Sequence, residues 1–150
     1  MARYGKAFKE LSIGDVFEEG ITIAEAHLSS AAGLFNDYNI LHMDEPKMEN
    51  SRFGKRIAHG ALTFGLMVGV YSKVFQDTDI STVEASIEFT APIFIGDTIR
   101  MQWRVSELEP KPKIDGGLVT LNGEVANQEG IPAATTNAKL LVGNKPIFER

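Results

Sequence analysis

The chain has no cysteine among its 150 residues, so disulfides and thiolate chemistry are excluded outright. That fits a reducing compartment and is equally compatible with export. Neither charge sign is in large excess: 15 Lys and Arg stand against 20 Asp and Glu, for a formal charge of −5. The acidic pI of about 5.2 argues against a general nucleic-acid binder, which shows a basic face. Long apolar runs are missing too. The longest uncharged stretch, Ile57 to Ser72, carries His59 and falls short of the roughly 20 residues that span a bilayer. The segment "MARYGKAFKELSIGD" has charges with no apolar run behind them, so no secretory signal is expected, no membrane association, and the cytoplasm is the default location. There is no G-x-S-x-G, no Walker loop and no G-x-G-x-x-G.

What is present reads as a soluble globular chain, 43% hydrophobic and 23% charged, and residues 1–150 are expected to form one domain. "VFEEGITIAEAH" has a β-rich middle and predicts a strand. Ser29 and Ser30 are N-cap candidates for a short helix through Ala31, Ala32, Leu34 and Phe35. "EPKMENSRF" predicts one or two helical turns with Pro46 early. Gly60 to Phe75 predicts a helix that is apolar nearly all round, and such a helix is expected to be surrounded by protein. On it Ala61, Gly65 and Gly69 recur every four residues, a ridge of small residues that another backbone could approach.

The second half changes period. Val83, Ala85, Ile87 and Phe89 alternate with polar residues, as do Ile99, Met101, Trp103 and Val105, and then Val119, Leu121 and Val125. Period two predicts strands with one buried face. "IFIGD", "EPKPKIDGG" and "NQEGIP" supply turn residues, and short links predict antiparallel pairing of consecutive strands. The expected architecture is α+β: a curved antiparallel sheet wrapped around one long helix. Exposed sheet edges would be blunted by pairing two copies in a homodimer.

The chemistry is concentrated in "FNDYNILHMDE". Asp37 and His42 are five residues apart, a poor match on one helix face but compatible with a shared pocket if a loop carries them. A carboxylate and an imidazole can hold and deprotonate a water. Equally, Asp37 could cap a turn and His42 could be a packing residue, and the residues alone leave both readings open. A calcium loop fails, because its glycine position is His42 and its bidentate glutamate position is Met48. Zinc is not expected, with His42 and His59 far apart in sequence and no cysteine. In "RIAHGALTFG", Gly60 opens the apolar helix, and its N–H is an orphan donor at the positive helix end, able to hold a carbonyl or enolate oxygen. Nearby Arg52, Lys55 and Arg56 are candidates to meet phosphates, or form a solvated face.

Together, "FNDYNILHMDE" and "SRFGKRIAHGALTFGLM" resemble the MaoC-like dehydratase family, the (R)-specific enoyl-CoA hydratases. Asp37, Tyr38, Asn39, Ile40, Leu41, His42 and Asp44 match the hydratase motif in order, "APIFIGDTI" matches in the sheet, and the likeness runs roughly from Gly14 to Val142. The resemblance implies the hot dog fold and a dimer. It implies that Asp37 and His42 hold the water added to a trans-2-enoyl thioester, that the Gly60 N–H receives the thioester oxygen, and that Asn39 orients the pair. His59 is placed as a supporting residue. Neither metal nor redox cofactor is implied; CoA is part of the substrate, with an acyl-carrier protein as the other possible carrier. Two departures stand out: Ile40 where proline is common, and Val68 where some hydratases place a hydroxyl. Two other functions remain open: a hot dog thioesterase, weakened by the absence of Asp or Glu between Gly60 and Phe75, and a non-catalytic thioester-binding module.

Overall fold

The computed structural model describes residues 5–148; the first four residues of the N-terminal segment read above, and the last two of the chain, lie outside it. Strand β1 (Val16–Thr22) is followed by helix α1 (Glu25–Phe35), two short helices α2 (Ile40–Met43) and α3 (Glu45–Glu49), and the long helix α4 (Gly60–Val74). Strands β2 (Asp79–Phe89), β3 (Thr98–Lys111), β4 (Gly116–Ala126) and β5 (Pro132–Gly143) complete the chain. The five strands form one antiparallel sheet in the order β1-β3-β4-β5-β2.

The sheet curls around one side of α4, the hot dog arrangement. Ile99, Met101, Trp103 and Val105 on β3 and Val119, Leu121 and Val125 on β4 are all buried, as period two predicted. They enclose Met67, Val70 and Tyr71 of α4. Each such side chain contributes about 1.5–3 kcal/mol through burial. The Trp103 indole N–H donates to the Met67 carbonyl at 2.8 Å, so its one polar atom is satisfied inside the core. Gly123 interrupts the alternation where space runs out: a Cβ there would stand 2.6 Å from Thr136 Cγ2 and 2.7 Å from Trp103 Cε3.

Four expectations change. First, only β3, β4 and β5 form a meander. β2 pairs with β5, with Ala85 opposite Ala138, rather than with its successor β3. Residues 90–97 are a crossover, not a tight turn. They pass the entrance of α4, where the Ala58 N–H donates to the Ile93 carbonyl at 2.7 Å, and then turn at Gly96, whose φ is 91°. Second, β2 is an edge strand, so its apolar set is only half used: Ala85 and Ile87 are partly buried while Val83 and Phe89 are exposed.

Third, α4 is covered on one side only. Thr63, Met67, Val70 and Tyr71 face the sheet, whereas Ala61 and Gly65 are exposed, and nothing lies within 4 Å of a Cβ built on Gly65 or Gly69. Among the described residues, the small-residue ridge therefore meets no other part of this chain at Gly65 and Gly69. Fourth, Ser29 and Ser30 lie inside α1, which starts at Glu25. The Ala24 N–H donates to His27 Nδ1 at 2.8 Å, so the histidine side chain does the reaching back that a glutamate does in a capping box. No helix among the described residues is long and apolar enough to cross a membrane.

Candidate active site

Helix α1 ends with Asn36 in the left-handed region at φ 53°, a conformation asparagine tolerates, and this turn swings the chain out of the helix at Asp37. Asn39 then acts twice. Its backbone N–H donates to Asp37 Oδ1 at 3.2 Å, and its side-chain oxygen accepts from the Leu41 N–H at 3.0 Å, capping α2. Ile40 fills the first position of α2, the place where proline is well accommodated, so the turn forms without it. Val68 is half-buried on α4 and packs against the core. One turn of α2 carries the chain to His42.

His42 and Asp37 come together as the hydratase motif implied. His42 Nε2 lies 3.7 Å from Asp37 Oδ2. The other ring nitrogen, Nδ1, lies 2.7 Å from the Ile57 carbonyl oxygen. A carbonyl only accepts, so Nδ1 carries the proton and Nε2 of the neutral ring is a bare lone pair. Asp37 and Nε2 are then two acceptors facing each other, which explains a gap too long for a direct hydrogen bond. A single water can donate one O–H to each.

His59 is fully buried at the N-cap of α4, and its ring stacks on that of His42 with centroids 3.9 Å apart and planes at 26°. Here Nε2 is the nitrogen that donates, to the Asp37 carbonyl at 3.0 Å, while buried Nδ1 has no hydrogen-bond partner among the described residues. The ligand atoms of Asp37, His42 and His59 lie within 4.8 Å of one another. They suit a cation poorly: imidazole lone pairs lie in the ring plane, and two nearly parallel stacked rings do not aim them at one point about 2.0 Å away.

Gly60, the first residue of α4, and His42 both line a cavity of about 470 Å³. The Gly60 N–H belongs to the first turn and has no carbonyl of its own helix to bond. The missing Cβ matters, because one built on Gly60 would stand 2.8 Å from Phe89 Cζ. Thr63 and Phe89 also line the cavity, and sequence reasoning had not placed them there. The signal for Thr63 was available as a hydroxyl one turn into the buried side of an apolar helix, close to Gly60. Phe89 was read as core because it continues the alternation of β2.

The three basic candidates separate. Arg52 is exposed, lies over the Phe53 ring at 4.8 Å and lines the cavity. Lys55 is exposed, 5.1 Å over the Phe94 ring. Arg56 is buried and does not line the cavity, which corrects its assignment as a substrate-binding residue. Its guanidinium donates to Glu25, to Glu45 at 2.8 Å and to the His42 carbonyl at 3.3 Å, tying α1, α2 and α3 together behind the histidine. The hydrogen bonds from Arg56 hold the Glu25 carboxyl below the usual glutamate range. A guanidinium that spends four of its five N–H donors on these acceptors, away from the cavity lining, is a strut.

The profile of the MaoC like domain matches residues 11–127. An (R)-specific enoyl-CoA hydratase of Rhodospirillum rubrum is 32% identical over 106 residues, 71% of this chain and 74% of the relative. Among solved structures, a monoamine oxidase regulatory protein from Archaeoglobus matches with a TM-score of 0.84 at 30% identity, over 97% of this chain and 99% of that one. The unliganded R-hydratase of Pseudomonas aeruginosa matches with a TM-score of 0.83 at 26% identity, over 93% of this chain and 86% of its own.

Proposed function

The chain belongs to the MaoC-like domain family, and from that premise we propose that it adds water to trans-2-enoyl-CoA thioesters, giving (3R)-3-hydroxyacyl-CoA, or runs the same reaction in reverse. The observation that carries this reading is the placement of His42: Nδ1 lies 2.7 Å from the Ile57 carbonyl oxygen, and Nε2 faces Asp37 at 3.7 Å, at a cavity that Gly60 also lines. The hydratase names of its relatives support the reaction class.

In this mechanism Asp37 and His42 hold the water between them. Its oxygen attacks C3 as one member of the pair takes the proton, and a proton is returned to C2 on the same face. When Nε2 takes the proton, the Ile57 carbonyl stabilises the imidazolium through the Nδ1–H. Negative charge moves to the thioester oxygen, where the Gly60 N–H and the positive end of α4 receive it. Asn39 fixes Asp37 through its backbone N–H, and His59 buttresses both residues by stacking on one and bonding the main chain of the other. The reaction so written needs no metal and no redox cofactor. Arg52 at the cavity and the exposed Lys55 would meet the phosphates of CoA; a net charge of −5 mildly disfavours an acidic carrier protein. Residues 1–150 would act as one domain, and the uncovered ridge of α4 and the free edge of β2 are the surfaces a second copy would cover.

The test is a spectrophotometric screen of enoyl-CoAs of different length and branching. Crotonyl-CoA absorbance at the enoyl band should fall on adding protein, and Asp37→Asn should slow this by at least about 100-fold, the low end for losing a positioned acid–base group. Absence of turnover across short, medium and branched chains sinks the proposal.

A further inference from the structure

Thr63 is a polar side chain without a use in the fold. It lies one turn into α4 from Gly60, is 2% exposed, and lines the same cavity as Gly60 and His42. A threonine hydroxyl inside a helix ordinarily donates to the carbonyl four residues back. That carbonyl is His59, and it accepts only the Thr63 N–H, at 3.2 Å. Among the described residues the Thr63 hydroxyl has no hydrogen-bond partner, while the neighbouring cavity wall is largely apolar: Phe53, Ile57, Ala58, Phe89 and Ile93. The Thr63 oxygen is not among the buried polar atoms left without a partner, which are His59 Nδ1 and Asp79 Oδ1, so it opens on the cavity, where something entering can bond it.

Helix geometry says what that something is. Residues three apart share a face, and side chains on an α-helix lean toward its N-terminus. The Thr63 side chain therefore lies back over the first turn, the turn from which the Gly60 N–H emerges. Two donors, one backbone and one hydroxyl, are brought to one end of one cavity, and a single oxygen carrying partial negative charge can accept from both.

We propose that Thr63 is a further catalytic residue, its hydroxyl being the second donor, beside the Gly60 N–H, to the thioester oxygen. The assignment rests on the hydratase reading above. A donor that strengthens as charge develops acts on the transition state more than on bound substrate, so its removal lowers kcat and kcat/KM together and leaves KM nearly unchanged.

Thr63→Val removes the hydroxyl at almost constant shape, and Thr63→Ser keeps it while removing the methyl. With crotonyl-CoA, or whichever enoyl-CoA the wild type turns over best, Thr63→Val should lower kcat by at least about 10-fold with KM within about 3-fold, and Thr63→Ser should stay within about 3-fold of wild type in both. Thr63→Ala is the second hydroxyl-free variant should the valine prevent folding. Unchanged kcat in a folded hydroxyl-free variant overturns the proposal, as does a rise in KM alone, or a Thr63→Ser as impaired as Thr63→Val. A wild-type protein inert on every enoyl-CoA is a different result: it overturns the hydratase reading itself and this assignment with it.

Discussion

Replacing Gly60 by alanine should separate catalysis from stability. The substitution adds one methyl at the first residue of α4. That methyl would stand 2.8 Å from Phe89 Cζ, 3.0 Å from Cε2 and 3.4 Å from Cε1. All three atoms are the far end of a side chain that is 51% exposed, so the ring can swing toward solvent without moving the backbone. Gly60 is not among the residues with positive φ, and alanine is the better helix former, worth up to about 1 kcal/mol in a helix interior and less at the first turn. These effects oppose each other, so stability should change by no more than about 1 kcal/mol, or about 2–4 °C in Tm for a chain this size. Activity should respond very differently. The methyl intrudes on the cavity beside the Gly60 N–H, where an acceptor has to come within about 2.7–3.1 Å. Losing that donor should cost about 100- to 1,000-fold in kcat. The assay pairs crotonyl-CoA hydration with a thermal melt on the same preparation. Full activity in Gly60→Ala would refute the role given to the N–H. A Tm lower by more than about 10 °C would refute the claim that Phe89 can yield.

Two further perturbations test what surrounds the site. Arg56→Ala removes the strut behind His42. The two carboxylates it leaves are more than half exposed and stay solvated, so the cost should be about 1–3 kcal/mol, below that of breaking a fully buried pair, and kcat should fall because the His42 carbonyl loses a donor. Glu25 has its pKa lowered by Arg56, so the stability from this pair is present above the ordinary glutamate value of about 4.3 and is lost as pH falls. The Tm gap between wild type and Arg56→Ala should therefore be wide at pH 7 and close toward pH 3; a gap independent of pH contradicts the ion-pair account. Asp79, at the start of β2, is the opposite case. Burial raises its pKa, and its Oδ1 has no partner among the described residues. A raised carboxyl pKa leaves full stability below the ordinary aspartate value and removes stability as pH rises. Asp79→Asn should then raise Tm at pH 7 and have little effect at pH 3, and an equal effect at both values would contradict the linkage.

The elements most legible in the sequence were those whose burial is decided inside one chain. β3 and β4 alternate because one face meets α4 and the other meets water, and Trp103 or Leu121 could hardly be assigned otherwise. Sheet order was not legible, since period two names the buried face of a strand and is silent about its partner. Gly96 and Asp97 of "IFIGD" read as a turn between paired neighbours, yet the same residues belong to a crossover past the mouth of α4. The apolar face of α4 misled for a related reason. A sequence shows that Ala61, Gly65 and Gly69 are small and free of charge, but it does not say whether its own chain covers them.

The site was legible as a set of residue types and illegible as a set of protonation states. Two histidines, 42 and 59, end as stacked rings, and nothing in their identity distinguishes a base from a buttress. Two main-chain carbonyls make the distinction. Ile57 takes the Nδ1 proton of His42 and so turns a bare Nε2 toward Asp37; the Asp37 carbonyl takes the Nε2 proton of His59 and leaves its bare Nδ1 buried. Each carbonyl is positioned by backbone geometry: Ile57 by its N–H bond to the Leu41 carbonyl and its bridge to Phe94, Asp37 by the left-handed turn at Asn36. Exchanging the two histidines in sequence would change no composition and no motif spacing. In the proposed chemistry what distinguishes the two rings is which carbonyl each meets, and for His42 that carbonyl, Ile57, is held in part by the crossover of residues 90–97. The proposed acid–base pair is in this sense a property of the sheet topology as much as of Asp37 and His42.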